Sequence, residues 1–164
     1  IMKLLAPEGD VYQAGTFSGN PVSVSAGLTT LRILAQSKPY KKLEEMTKHL
    51  CEGIKQKAEE DGVKVRINSI GSMFSIFFTP LDKSGKLNSN YLTGFTDREV
   101  RDYNIARAQD RDLFKKFYQG LLKEGIYFSP SGLEANFIST AHTPWDLEKT
   151  LKAIGKTFRN LKGR

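Results

Sequence analysis

The sequence is short of the residues that most often announce chemistry. Its 164 residues include one cysteine, Cys51, and two histidines, His49 and His142. A single thiol excludes an internal disulfide framework and points to a reducing, cytoplasmic compartment. Cys51 falls on the pattern of a charged helix, as a structural or surface thiol does. The two histidines stand far apart without metal-ligand spacing, so no metal site is expected. Long hydrophobic runs are missing as well: no stretch approaches the roughly 20 apolar residues that a bilayer span needs. Ile1-Met2-Lys3-Leu4-Leu5 is too short for a secretory signal. Because the first residue is Ile1 and not Met, the sequence is expected to begin inside a longer one. Acid is the scarcer charge, with 18 Asp and Glu against 25 Lys and Arg and a net charge of +7. The bases are nevertheless interleaved with acids, as in YKKLEEMTKHLCEGIKQKAEED, which reads as solvated helix faces. With no RNA- or DNA-reading motif present, nucleic acid is not an expected partner.

What is present is patterned. Met2–Leu5 reads as a helix end closed by Ala6-Pro7-Glu8-Gly9. Asn20-Pro21 then combines a capping residue with a proline at the first helical position, a start signal. The helix that follows carries Val22, Val24, Ala26, Leu28, Leu31, Ile33 and Leu34. It is apolar on most sides, which predicts burial between layers or at a subunit interface. Leu43, Met46, Leu50, Ile54 and Ala58 recur at helical spacing over Tyr40 to Asp61, and Gly62 ends that segment. Strands are expected over Val63–Ile67 and Ser72–Phe78, with Phe74, Ile76 and Phe78 on the face that meets helices.

From Thr79 to Asp110 the periodicity fails, and a long loop is expected, either functional or mobile. A helix over Arg111–Glu124 is closed by Gly125. Short strands are expected at Ile126–Phe128 and Ala135–Thr140, around a turn at Ser129–Gly132. Thr143-Pro144 opens a last helix striped by Leu147, Leu151, Ile154, Phe158 and Leu161. The sum is an α+β chain: a helical arm over residues 1–38, then a small domain over 39–164 with a short antiparallel sheet and helices on one face.

Two segments carry chemistry beyond packing. Gly15-Thr16-Phe17-Ser18-Gly19-Asn20-Pro21 sets glycines, hydroxyls and free amides ahead of a helix, where a phosphate is well held. It has neither the lysine of the GxxxxGK[ST] loop nor GxGxxG spacing. An ordinary capped turn explains the same residues. Glu134, in SPSGLEANFIST, sits in a segment otherwise suited to burial. It reads either as a strand-edge glutamate facing solvent or as a carboxylate aimed into a site, attracting an ammonium group or relaying a proton. Asn136 and His142 are weaker cases, and His142 reads as part of a helix entry.

VYQAGTFSGNPVSVSAGLTTL, GIYFSPSGLEANFISTAHT and PWDLEKTLKAI together resemble the C-terminal portion of the glutamate-1-semialdehyde 2,1-aminomutase family. That family belongs to the class-III aminotransferases, pyridoxal 5'-phosphate (PLP) enzymes of the type I fold. The resemblance spans nearly the whole chain and is loose between Pro80 and Asp110. It implies a homodimer with active sites at the subunit interface, in which Gly15 and Thr16 hold the PLP phosphate of the neighbouring subunit. It implies an auxiliary electrostatic role for Glu134 near the cofactor and substrate amino groups. Residues 1–38 would belong to the PLP-binding large domain and its dimer region, and 39–164 would be the small C-terminal domain. The implied reaction converts glutamate-1-semialdehyde to 5-aminolevulinate in tetrapyrrole (porphyrin) synthesis. The Schiff-base lysine of the family lies upstream of the matched region, so these residues alone are expected to be inactive. Another class-III aminotransferase stays open, although Ser129–His142 lacks the arginine that many of those use to clamp a carboxylate. A non-catalytic dimerisation module stays open too.

Overall fold

A computed structural model describes residues 1–80 and 100–162. The chain divides into two compact units, Ile1–Lys38 and Pro39–Arg164. The first opens with a 3-10 turn at Met2–Leu4, and Leu5 bridges to Val11. Helix α1, Pro21–Ser37, starts where the Asn-Pro pair predicts. The Asn20 carboxamide oxygen accepts from Val22 N and Ser23 N at 3.0 and 3.2 Å, satisfying two otherwise orphaned amides. Lys38 ends α1 in the left-handed conformation, its N–H on Leu34 O. Nothing on α1 is buried: Val22 is 76% and Leu31 66% exposed. The burial expected from its composition is not found among the described residues.

In the second unit, α2 (Tyr40–Glu60) turns Leu50, Cys51, Ile54 and Ala58 inward along the stripe its spacing lays down. Strands β1 (Val65–Ile70) and β2 (Met73–Phe78) form an antiparallel hairpin in which Val65 faces Phe78 and Ile70 faces Met73. Its two-residue turn begins at Gly71, whose φ of +55° suits glycine at the first central position of a tight hairpin. Strand β1 therefore lies two to three residues later than expected. Then come a short helix α3 (Tyr103–Arg107), α4 (Arg111–Lys123), β3 (Asn136–Phe137) and α5 (Pro144–Lys162). The sheet order is β1-β2-β3, with Met73 opposite Phe137 and Phe74 opposite Asn136.

Strand alternation decides the layering. Phe74, Ile76 and Phe78 enter the main core with Phe117 and Leu121 of α4 and Ile154 and Phe158 of α5. Phe117 stacks on Phe158 with centroids 5.2 Å apart, and Phe78 lies 5.2 Å from Phe117. Phe77 points the other way, into a small second cluster with Val100, Ile105, Ala106 and Ala108. Asn68 fastens that cover to the sheet by accepting from Val100 N at 3.2 Å and donating to Val100 O at 2.6 Å. The long helices thus lie on one face, as expected, while α3 covers part of the other. α3 falls inside the segment expected to be irregular, because five residues are too few to express a helical period. Most of the remaining 79–110 expectation falls outside the described residues.

Two expected strands are corrected. Residues 126–128 are not a strand. Ile126 and Phe128 pack against the core while Tyr127 is 72% exposed, so burial alternates without a ladder partner among the described residues. Ile126 N instead bonds back to Leu121 O at 2.9 Å. Residues 135–140 shrink to Asn136–Phe137. Ile138 N still reaches Ser72 O at 2.9 Å, but Ser139 N donates to His142 Nδ1 at 3.0 Å and turns the chain toward α5.

Candidate functional site

In the first unit the chain turns at residues 16–19, with Ser18 N donating to Gly15 O at 2.9 Å and Asn20 N to Phe17 O at 3.1 Å. A Cβ at Gly15 would lie 2.5 Å from Ser18 Oγ, so any side chain there makes the Ser18 hydroxyl turn away. Since Asn20 already occupies the amides of Val22 and Ser23, the helix terminus itself has little left for an anion. The spare capacity lies in the turn. Among the described residues no hydrogen bond engages the N–H or hydroxyl of Thr16, and both are exposed donors next to a position without a side chain. That set suits a phosphate oxygen, which needs close, unspent donors.

In the second unit Glu134 lies in the turn between Phe128 and β3. Glu134 N bonds to Ser131 O at 3.1 Å and Leu133 N to Ser131 Oγ at 3.2 Å, closing a compact loop. The carboxylate is exposed and accepts from Ser129 Oγ at 2.8 Å. It makes no ion pair among the described residues. The expectation that this segment is built for burial is corrected: Leu133 and Glu134 are both exposed, because strand pairing begins only at Asn136. Asn136 does local work, its Oδ1 accepting Ser129 N at 2.8 Å. Gln109 holds the other end, donating Nε2 to Gly132 O at 2.9 Å and to Ala106 O at 3.1 Å. A cavity of about 460 Å³ lined by Gln109, Arg111, Phe114, Tyr118 and Gly132 adjoins the turn. Gln109 and Ser129 were not foreseeable from pattern, since neither sits on a periodic stripe and their contacts span 23 and 5 residues.

The remaining candidates have structural occupations. His142 Nδ1 accepts from Ser139 N, which fixes that nitrogen as unprotonated and makes the ring part of the helix entry. Burial pushes the Cys51 thiol up to about 11, with a Ser69 hydrogen bond pulling the other way, so it is no nucleophile near neutral pH. Among the described residues no group of His, Cys, Asp and Glu could hold a metal ion. No helix there is long and apolar enough to cross a membrane. The two candidate segments, Gly15–Thr16 and Glu134, fall in different units.

The family model for aminotransferase class-III matches residues 1–154. The chain belongs to the class-III aminotransferase family. Among curated class-III relatives, the glutamate-1-semialdehyde 2,1-aminomutase of Thermodesulfovibrio yellowstonii is 41% identical over 161 residues, which cover 98% of this chain and 34% of that protein. The enzyme of the same name from a Sulfurihydrogenibium species is 43% identical with the same coverage. The chain therefore spans about a third of the length of these relatives. Among solved structures, an omega-transaminase from Sphaerobacter thermophilus matches with a TM-score of 0.73 at 25% identity, over 99% of this chain and 34% of that one. A transaminase solved with PLP bound has the same TM-score at 19% identity, over 98% of this chain and 33% of that one, a likeness of fold. The α+β arrangement of this chain is that of about a third of a transaminase.

Proposed function

We propose that these 164 residues are the C-terminal part of a PLP-dependent glutamate-1-semialdehyde 2,1-aminomutase, which isomerises glutamate-1-semialdehyde to 5-aminolevulinate for tetrapyrrole synthesis. The observation that carries this reading is similarity at 41–43% identity along 98% of the chain to proteins of that name. PLP, when bound, supplies an electron sink for charge developing beside the amino-bearing carbon. The residues here fit its phosphate: the unspent Thr16 donors and the bare Gly15 backbone offer a cradle for an anion. In this reading Gly15 and Thr16 serve the phosphate of a partner subunit, in a cytoplasmic homodimer. The exposed apolar α1 is consistent with such a partner, and residues 1–38 would belong to the cofactor-binding domain.

Glu134 is the proposed auxiliary carboxylate. It is exposed and unspent by any ion pair among the described residues, so its charge is available to a substrate ammonium group. Ser129 keeps one oxygen engaged, which leaves the other to meet substrate or exchange a proton.

The lysine that anchors the cofactor is proposed to lie outside these residues. An assay of the complete protein carrying this chain, given glutamate-1-semialdehyde and no amino acceptor, is expected to yield 5-aminolevulinate. Absence of product would sink the aminomutase reading. Turnover only with an added amino acceptor would instead make it an aminotransferase, a second reading that the likeness to the Sphaerobacter transaminase favours.

A further inference from the structure

Glu134 stands on the turn between Phe128 and β3, which is held from two sides, and the holding groups are specific. On one side, Asn136 belongs to β3, where it faces Phe74, and its Oδ1 accepts Ser129 N at 2.8 Å. On the other side stands Gln109, only 6% exposed. Its backbone is bracketed by fixed points, since the adjoining Asp110 donates N–H to Phe78 O at 3.0 Å and caps α4 through Leu113 N at 2.8 Å. Both amide hydrogens of Gln109 go to carbonyls, Ala106 O and Gly132 O. Its Oε1 is buried with no partner among the described residues. An unpaired buried oxygen opposes stability, and an apolar side chain would avoid it. What the amide provides in return is a tether between the end of β2 and the middle of the Glu134 turn.

Within the turn, Ser129 Oγ has one proton and two acceptors in reach, Glu134 Oε2 at 2.8 Å and Ser131 O at 3.2 Å. The shorter contact to the charged acceptor is the stronger. Ser131 N donates to the same Oγ at 3.3 Å, so the hydroxyl is oriented by its neighbours before it meets the carboxylate.

We propose that Gln109 and Ser129 are positioning residues for the Glu134 carboxylate: Gln109 pins the turn to the sheet and α4, and Ser129 aims Oε2. The proposal rests on the reading of Glu134 as an auxiliary carboxylate of the reaction. Neither residue touches substrate. Both act by restricting where the charge of Glu134 stands, which matters because a displacement of about 1 Å costs on the order of 100-fold in rate.

The test is steady-state kinetics of the complete PLP-loaded protein with Ser129→Ala, Ser129→Thr and Gln109→Met, alone and combined with Glu134→Ala. Gly132→Ala is the second probe of the tether, since its Cβ would lie 2.8 Å from Gln109 Oε1 and displace the amide without removing it. Ser129→Ala, Gln109→Met and Gly132→Ala are each expected to lower kcat about tenfold with KM changed less than about twofold, and Ser129→Thr to restore it. In the Glu134→Ala background the same changes are expected to have no further effect, because groups acting through one residue do not add. Losses that multiply with that of Glu134→Ala, or wild-type kcat in Ser129→Ala and Gly132→Ala while Glu134→Ala is impaired, overturn the positioning claim and leave the role of Glu134 standing. Wild-type kcat in Glu134→Ala overturns that role, and the positioning claim with it.

Discussion

At the scale of single residues, burial separates polar groups left open to solvent from those that pack. Cys51 is the only thiol in the sequence, and it lies on the inner face of α2, 4% exposed. With desolvation holding its pKa near 11, against about 8.5 for a free thiol, native Cys51 is nearly all thiol at pH 8. Labelling by a disulfide reagent at pH 8 is expected to be at least about 100-fold slower in the native chain than in urea, and to follow unfolding. Rapid native labelling would contradict the placement. The raised value also carries a sign. Its stabilising contribution is complete below about pH 8.5, and it is lost as pH rises toward the folded value of about 11. Thr16 and Glu134 are the opposite case, exposed groups whose polar atoms are largely unspent. Their residue types were readable in the sequence. That Glu134 leans on Ser129 was not, because a hydroxyl contact within a turn leaves no periodic trace.

At the scale of elements, helix boundaries are written by capping chemistry. The Asn20-Pro21 and Thr143-Pro144 pairs begin α1 and α5 where they stand, and Asp110 begins α4. At α5, Asp146 Oδ2 accepts from Thr143 N and Thr143 Oγ1, both at 2.7 Å, while Asp146 N reaches back to Thr143 Oγ1 at 3.3 Å. This is a reciprocal capping box with aspartate in the third position. The Thr143 hydroxyl, then its N–H, hold the Asp146 carboxyl below the usual range. A lowered folded value means the contribution is present above the unfolded pKa of about 3.9 and is lost as pH falls through the folded one. Asp146→Asn is therefore expected to lower Tm by a few degrees at pH 7, with the gap to the parent closing in acid. A gap that persists at pH 2 would mean the charge is not what the box uses. Strand boundaries were less legible. Alternation at Ile126–Phe128 correctly reports which side chains are buried, but among the described residues no partner strand stands beside them to make a ladder.

At the scale of the whole molecule, the two units differ in what they bury. Residues 39–164 close a core around Phe78, Phe117 and Phe158, all 1% exposed or less. Residues 1–38 leave α1 without a buried residue. Val24, Leu28 and Leu31 line one stripe at spacings of four and three, each exposed by between 46% and 66%. An exposed apolar stripe of this kind favours association, because covering it removes apolar area from water. The 18.4 kDa chain by itself is expected to bind a hydrophobic dye and to sediment as an associated species, and Leu28→Glu combined with Leu31→Lys to return it to monomer. A monomer that binds no dye before any substitution would remove α1 as a docking face.

The four long helices, their start signals and membership in a family were legible in the sequence, because each depends on residues near one another or on a pattern along the chain. Periodicity and capping are local, and they survive into the structure at α1, α2, α4 and α5. Only the tertiary structure decided that Ile126–Phe128 stays unpaired, that Glu134 is exposed and that Gln109 reaches Gly132. A ladder, an exposure and a tether each depend on what stands on the far side of a residue. Chain packing alone sets that neighbour, and in the Gln109–Gly132 pair it brings together groups 23 residues apart.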